Sequence, residues 1–201
     1  LSLHTARGIN RDRIDRGKLA AFTVPPAVFP EVLQWLEGMT DPRSGVVGYD
    51  ARGSASFRPV DRYLVFPAHR TAAMTAAGTA MRYLLVEDAK TDSAISLGLA
   101  RILDLPPRPT ERGGGVDFIH YFFGTLACDA AGGRIGDAWR AQLHEHLLPA
   151  QRGEQGGFCG LRGSFDPVGV WGTEGGRVVA TALGALALQH VYGYTRTLTV
   201  R

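Results

Sequence analysis

Two kinds of helical segment alternate along this chain, and that alternation restricts its fold more than any other feature. Val28 to Met39 places Phe29, Val32, Leu33 and Leu36 on one stripe, with Glu31, Gln34 and Glu37 elsewhere. That is the spacing of an amphipathic helix with one buried face. Ala94 to Leu105 does the same with Ile95, Leu99, Ile102 and Leu103. Asp137 to Leu148 spaces Trp139, Leu143 and Leu147 four residues apart, against Arg140, His144 and Glu145. Between them lie segments that are apolar on every side: Ala72 to Leu85, Asp117 to Ala131 (DFIHYFFGTLACDAA) and Val178 to Val191 (VVATALGALALQHV). A helix without a polar face needs burial all round, or a lumen to line. One-faced and no-faced helices in turn predict an all-α fold in two concentric layers, outer and inner.

Internal similarity points the same way. Thr75-Ala76-Ala77-Gly78 is echoed by Thr181-Ala182-Leu183-Gly184, and Phe123-Gly124-Thr125-Leu126-Ala127 is a degenerate third copy. Glycines 78, 124 and 184 are 46 and 60 residues apart, a period that fits a helical-pair repeat with variable loops. A glycine inside a helix costs about 1 kcal/mol against alanine. Three at matching places predict close packing between inner helices.

Two long glycine-rich loops, Asp41 to Pro67 and Gly153 to Gly176, lead into the first and last inner helices, and the second holds nine of the 26 glycines. Aromatic residues punctuate both: Tyr49, Phe57, Tyr63 and Phe66, then Phe158, Phe165 and Trp171. Such loops are ordered by their own aromatic packing. Leu1 to Gly8 reads as the tail of a further inner helix, followed by a basic linker to residue 23. The repeat region then runs from 24 to 194, within a single domain of 201 residues. About seven helices are expected in all.

The composition closes off several classes. With 45% hydrophobic residues the chain is neither disordered nor fibrous. Its longest nearly apolar run, Val178 to Leu188, is interrupted by Thr181 and too short to cross a bilayer. The net charge is +3, almost all of it arginine, and the one basic cluster, Arg7 to Lys18, is interrupted by Asp12 and Asp15. Without a basic stripe and interleaved aromatics there is no nucleic-acid groove. No basic amphipathic helix with a wide apolar face marks a membrane surface. Cys128 and Cys159 could form one bridge or stay as thiols, according to compartment. The start at Leu1, without a signal-peptide pattern, reads as a processed product or an excised fragment, and the compartment stays open.

Arg140-Ala141, Leu147-Leu148, Gln151 and Gly163-Ser164-Phe165 form a basic-small pair, aliphatics, a glutamine, then a glycine followed by an aromatic. A weaker copy runs Trp35-Leu36, Thr40, Gly48-Tyr49. This pattern resembles the repeat of the squalene–hopene cyclase and protein prenyltransferase superfamily, the α/α toroids. DFIHYFFGTLA, GSFDPVGVWG and GGRVVATALGALAL are similar to uncharacterised bacterial prenyltransferase/squalene-oxidase repeat proteins. The resemblance spans roughly Val24 to Tyr194. It implies an α/α toroid-like arrangement, and since the chain is short for a complete ring, a partial or reduced one.

The family's chemistry is harder to place. Its alkene-protonating cyclases use an acidic DxDD-type motif, which is missing here. Its prenyltransferases bind zinc through an aspartate, a cysteine and a histidine. Asp117, Cys128 and His190 are of those types, but the first two are eleven residues apart rather than two. No metal or other cofactor is therefore expected. His144-Glu145-His146 is also not a ligand pair, because imidazoles two residues apart on a helix point in different directions.

Asp117, His120 and Tyr121 remain as an acid–base set, with Asp117 orienting His120 and Tyr121 donating a proton. The structural alternative is that Asp117 caps a helix and His120 is a satisfied core residue. Arg70, Arg177 and Trp171 are the ligand-binding candidates. Arg70 reads as the repeat equivalent of Arg177, and either arginine could hold an anion at a helix start, or form a buried pair such as Arg177 with Asp166. The leading expectation is a non-catalytic binding or scaffold module, taking a protein or an apolar small molecule, as an oligomer or within a larger chain. The rival is an enzyme acting on an isoprenoid-like or polysaccharide substrate. That rival requires Asp117, His120 and Tyr121 to converge on an open cavity.

Overall fold

The computed structural model describes residues 2–86, 88–109, 115–153 and 159–192. Its α-helices are α1 (Ser2–Asp15), α2 (Val28–Met39), α3 (Ala73–Leu85), α4 (Ser93–Leu103), α5 (Phe118–Ala131), α6 (Gly133–Gln142) and α7 (Gly172–Val191). The described residues contain no strand, only one antiparallel bridge between Thr40 and Val47. The chain is all-α, as its periodicity predicts.

The three apolar helices lie side by side, α5 packing on both α3 and α7. Onto this row fold the amphipathic helices: α2 against α3, α4 against α3 and α5, and α6 against α5. Their stripes bury Leu36, Ile95, Leu99, Ile102 and Trp139. Asp92 caps α4, its Oδ1 accepting the Ala94 and Ile95 N–H groups at 2.8 and 3.3 Å. Such a cap is worth about 1 kcal/mol.

Beyond α6 the chain continues as a π-helical turn, Leu143–Leu147, and then a 3-10 turn, Leu148–Ala150. Residues four apart drift by about 40° per step on an α-helix. The wider π turn, with its i→i+5 bonding, takes up that drift. Trp139, Leu143 and Leu147 consequently all stay in the core, while His144 and Glu145 face solvent. Inside α7, Gly176 has φ 58° and ψ −162°, a conformation closed to other residues. The kink separates one initial turn from the helix proper, which begins at Arg177.

The first segment departs from expectation. α1 runs to Asp15, so the expected basic linker is helical over its first half, and no residue of α1 is buried. Its sequence, SLHTARGINRDRID, has too few apolar side chains to act as an inner helix. It is tied down by Arg7, whose guanidinium lies 4.2 Å from the centre of the Phe29 ring on α2.

The repeat is written in hydrogen bonds. After α2, Asp41 N–H donates to Val46 O at 2.9 Å, and Gly45 N–H to Asp41 O at 2.8 Å. After α6 and its extension, Arg152 N–H donates to Ser164 O and Gly163 N–H to Arg152 O, both at 2.8 Å. Gly45 and Gly163 share positive φ values of 70° and 78°. The next residue but one is then bonded to an inner helix: Val47 N–H to Thr75 Oγ1 at 3.2 Å, Phe165 N–H to Thr181 Oγ1 at 3.0 Å. Gly45-Val46-Val47, and not Gly48-Tyr49, is therefore the counterpart of Gly163-Ser164-Phe165.

This register also corrects the role of the glycines. A Cβ on Gly78 would lie 2.7 Å from the Val47 side chain, and one on Gly184 would lie 2.6 Å from the Phe165 ring. On Gly124 it would meet Trp139 of α6 at 2.7 Å. The glycines make room for a preceding loop or an amphipathic helix, not for a neighbouring inner helix.

Candidate functional site

Asp117 occupies the N-cap of α5, and four groups converge on its carboxylate. Oδ1 accepts the Ile119 and His120 N–H groups at 3.0 and 3.3 Å. Oδ2 accepts the Thr71 hydroxyl at 3.1 Å and faces Arg58 Nη1 at 3.8 Å. Arg58 in turn donates to Thr71 Oγ1, to Phe57 O at 2.9 Å and to Phe66 O at 3.1 Å. The Thr71 hydroxyl thus accepts from the guanidinium and donates to the carboxylate, which its single proton permits. Burial draws the Arg58 guanidinium below its ordinary value, and Asp117 pulls it back up.

His120 lies with its Nε2 2.7 Å from the Leu105 carbonyl. A carbonyl only accepts, so the ring proton sits on Nε2. Burial pushes the imidazole below its ordinary value, against the opposing pull of Leu105, Asp117 and the Ala72 backbone. Trp139 packs against the ring at 85°, centroids 5.8 Å apart. Tyr121 donates its hydroxyl proton to Gly115 O at 3.1 Å and accepts the Arg108 N–H at 3.3 Å.

Asp117, His120 and Tyr121 are each at most 1% exposed. They converge on packed interior, where a cap, a carbonyl contact and a loop clamp occupy them. Neither hollow described below is lined by any of the three.

The expected ligand residues have different surroundings. Arg177 pairs with Asp166 at 2.6 Å and donates to Ser164 Oγ and Phe165 O at 3.1 and 3.2 Å. Arg152 shares the same carboxylate at 2.9 Å, and the two guanidinium groups together hold Asp166 below the usual carboxylate range. Arg70 is exposed in a 3-10 turn, Ala68–Arg70. It is not the repeat counterpart of Arg177: four residues before Thr75 stands Thr71, the hydroxyl that Arg58 reaches.

Trp171 belongs to an aromatic ladder. Its ring stacks on Phe57 with centroids 5.9 Å apart at 19°, and Phe57 meets Tyr49 at 5.0 Å. Tyr49 is 50% and Phe57 43% exposed. The ladder fastens the Asp41 to Pro67 loop to the one ahead of α7 and leaves aromatic surface facing solvent. The Trp171 indole N–H is buried without a partner, and the ring borders an apolar hollow of about 10 Å³, room for one water. A larger hollow of about 280 Å³ lies between α1, α2 and α3, lined mainly by Leu3, Phe29, Val32, Met81, Leu84 and Leu85.

The zinc-type residues do not assemble. Eleven residues of helix put Cys128 about 16 Å from Asp117. His190 Nδ1 instead lies 3.3 Å from Asp129 Oδ2. Among the described residues no three His, Cys, Asp or Glu side chains are placed to hold a metal. Cys128 is a free, buried thiol. Burial pushes its pKa up to about 12. Phe158, among the loop aromatics, lies outside the described residues. Among the described residues no helix is long and apolar enough to cross a membrane.

Two organising residues were not among the candidates drawn from the sequence. Arg58 sits in a loop with nothing to mark it as buried. Arg82, on α3, pairs with the α4 cap Asp92 at 3.0 Å and donates to Thr40 Oγ1 at 3.2 Å. Only an arginine in an otherwise apolar helix hinted at it. Comparison with known protein families, curated proteins and solved structures gives no match.

Proposed function

We propose that this chain is a non-catalytic binding or scaffold module, a helical-repeat array of terpenoid-cyclase-like kind that receives a partner on its two long loops. The observation that carries this reading is the Tyr49–Phe57–Trp171 ladder, which joins both loops and exposes two of its rings. Rigid aromatic side chains contribute much contact area at little entropic cost, as binding surfaces require. Asp117 holds α5 to the Asp41 to Pro67 loop through Arg58, while His120 is bonded to Leu105 and Tyr121 to Gly115 and Arg108. An enzyme acting on isoprenoid-like or polysaccharide substrates through Asp117, His120 and Tyr121 would need that packing undone.

Incorporating 5-fluorotryptophan gives Trp35, Trp139 and Trp171 separate fluorine resonances. Titration with isoprenoid alcohols, oligosaccharides and peptides should move the Trp171 resonance for one class, with the ligand recovered unchanged. Phe57→Ala should abolish that shift. Turnover of any ligand, lost in His120→Ala while the fold persists, would establish the enzyme instead.

A further inference from the structure

The repeat defines which face of each inner helix meets the next. Counting from glycines 78, 124 and 184, a residue of α7 corresponds to one 60 positions earlier on α5 and 106 earlier on α3. Val178, Ala182 and Leu186 of α7 match Phe118, Phe122 and Leu126 of α5, and Ala76 and Ala80 of α3 with its N-cap Ala72. All six of those counterparts are buried. On α7 the three are exposed, Val178 by 80%. The last inner helix therefore shows solvent the face that its two predecessors cover.

The opposite face follows the same logic. Ala187 and His190 of α7 are buried, and His190 reaches Asp129 on α5. This is the side by which an inner helix receives the one before it. Its counterparts on α3 are Met81 and Leu84, and with Leu85 they line the 280 Å³ hollow. α1 borders that hollow without burying a residue in it. Among the described residues, the chain thus carries both halves of its own repeat interface at opposite ends of the row, an exposed face on α7 and a half-buried hollow beside α3.

We infer that a second copy of this chain packs head to tail with the first, the exposed face of α7 entering the hollow beside α3. The interface continues the α3–α5 and α5–α7 contacts already present within one chain. Such a contact is heterologous, with different surfaces on the two partners, and it closes into a ring or extends. From Arg177, beyond the kink, α7 runs to Val191 and is about 22 Å long. A face of that size falls short of the roughly 800 Å² per partner of tight complexes. The association is accordingly concentration-dependent.

Sedimentation velocity from low micromolar to near-millimolar protein tests this. The intact chain should show a mass rising beyond one copy. Leu186→Lys blocks the α7 face, and Leu85→Lys blocks the hollow. Each variant alone should stay monomeric with unchanged circular dichroism, leaving the Trp171 resonance where it was. An equimolar mixture of the two retains one intact α7 face and one intact hollow, so association should return. A monomer at every concentration, association untouched by Leu186→Lys, or a mixture that stays monomeric each overturns the proposal. An apolar small molecule co-purifying in the hollow would overturn it too.

Discussion

Phe165 donates its backbone N–H to the Thr181 hydroxyl at 3.0 Å, and its ring covers Gly184 one turn further along α7. Val47, Thr75 and Gly78 repeat the device on α3 with a smaller side chain. A hydroxyl at one helix position and a bare Cα three residues later together fix where the incoming loop lands.

The first prediction concerns that bare Cα. Gly184→Ala gains about 1 kcal/mol of helix propensity. The new methyl would, however, stand 2.6 Å from a buried ring. Overpacking of this kind costs about 1–3 kcal/mol. Urea unfolding should show Gly184→Ala net destabilised, and Phe165→Leu in the same chain should restore part of the loss. Additive effects of the two substitutions would show that ring and glycine are not coupled.

What the sequence made legible follows from period and repetition. α2 and α4 stand within a residue or two of their expected spans, because apolar stripes fix both presence and face. Thr75 and Thr181 recur because one hydrogen bond recurs. Repetition misled over Arg70, where a one-residue offset puts Thr71 in the matching place. It misled again over Gly48, because loop length hides register and only the positive φ of Gly45 reveals it. Arg58 could not have been found: its burial depends on two loop carbonyls and a helix cap distant in sequence. Asp117 and His120 were visible as residue types, but whether they met solvent or packing was a tertiary matter.

Buried His120 gives stability a dependence on pH. Its imidazole is held neutral in the fold, so unfolding lets it take up a proton. Stability is therefore full above the ordinary value of 6.5 and falls as pH drops below it, until the lowered folded value is reached. The slope is at most about 1.4 kcal/mol per pH unit. His4, also lowered, adds a contribution of the same sign. Asp41, Asp50 and Asp166 are held below 3.8 and act only in stronger acid. His120→Gln keeps a donor for the Leu105 carbonyl and cannot ionise. Its unfolding free energy should be flatter between about pH 7 and 5, whereas His4→Gln should retain most of the slope. A slope unchanged in His120→Gln would refute the assignment.

Cys128 should be chemically silent in the native protein. The thiolate is the reactive form, and burial, with Asp129 nearby, pushes the pKa up to about 12. Iodoacetamide followed by peptide mass analysis should leave Cys128 unmodified in native buffer and modify it fully in guanidinium. Rapid native labelling would mean that α5 opens locally at that turn.

The two arginine–carboxylate contacts should differ sharply in their contribution to stability. Arg58 and Asp117 are both sealed from solvent, whereas Arg177 and Asp166 are each about one-third exposed, at 29% and 35%. Removing one member of a buried pair leaves the other charge stranded, at a cost of about 3–5 kcal/mol. Exposed pairs contribute about 0–1 kcal/mol. Arg58→Met also orphans the Phe57 and Phe66 carbonyls and frees the Thr71 hydroxyl, so its loss should lie at the upper end. Arg177→Met leaves Asp166 with Arg152 and should shift the unfolding midpoint only slightly. Because Arg58 fixes the loop that bears Tyr49 and Phe57, protease cleavage within 41–67 should accelerate in Arg58→Met and not in Arg177→Met. Equal destabilisation by both substitutions would show that Arg58 does not organise the loop.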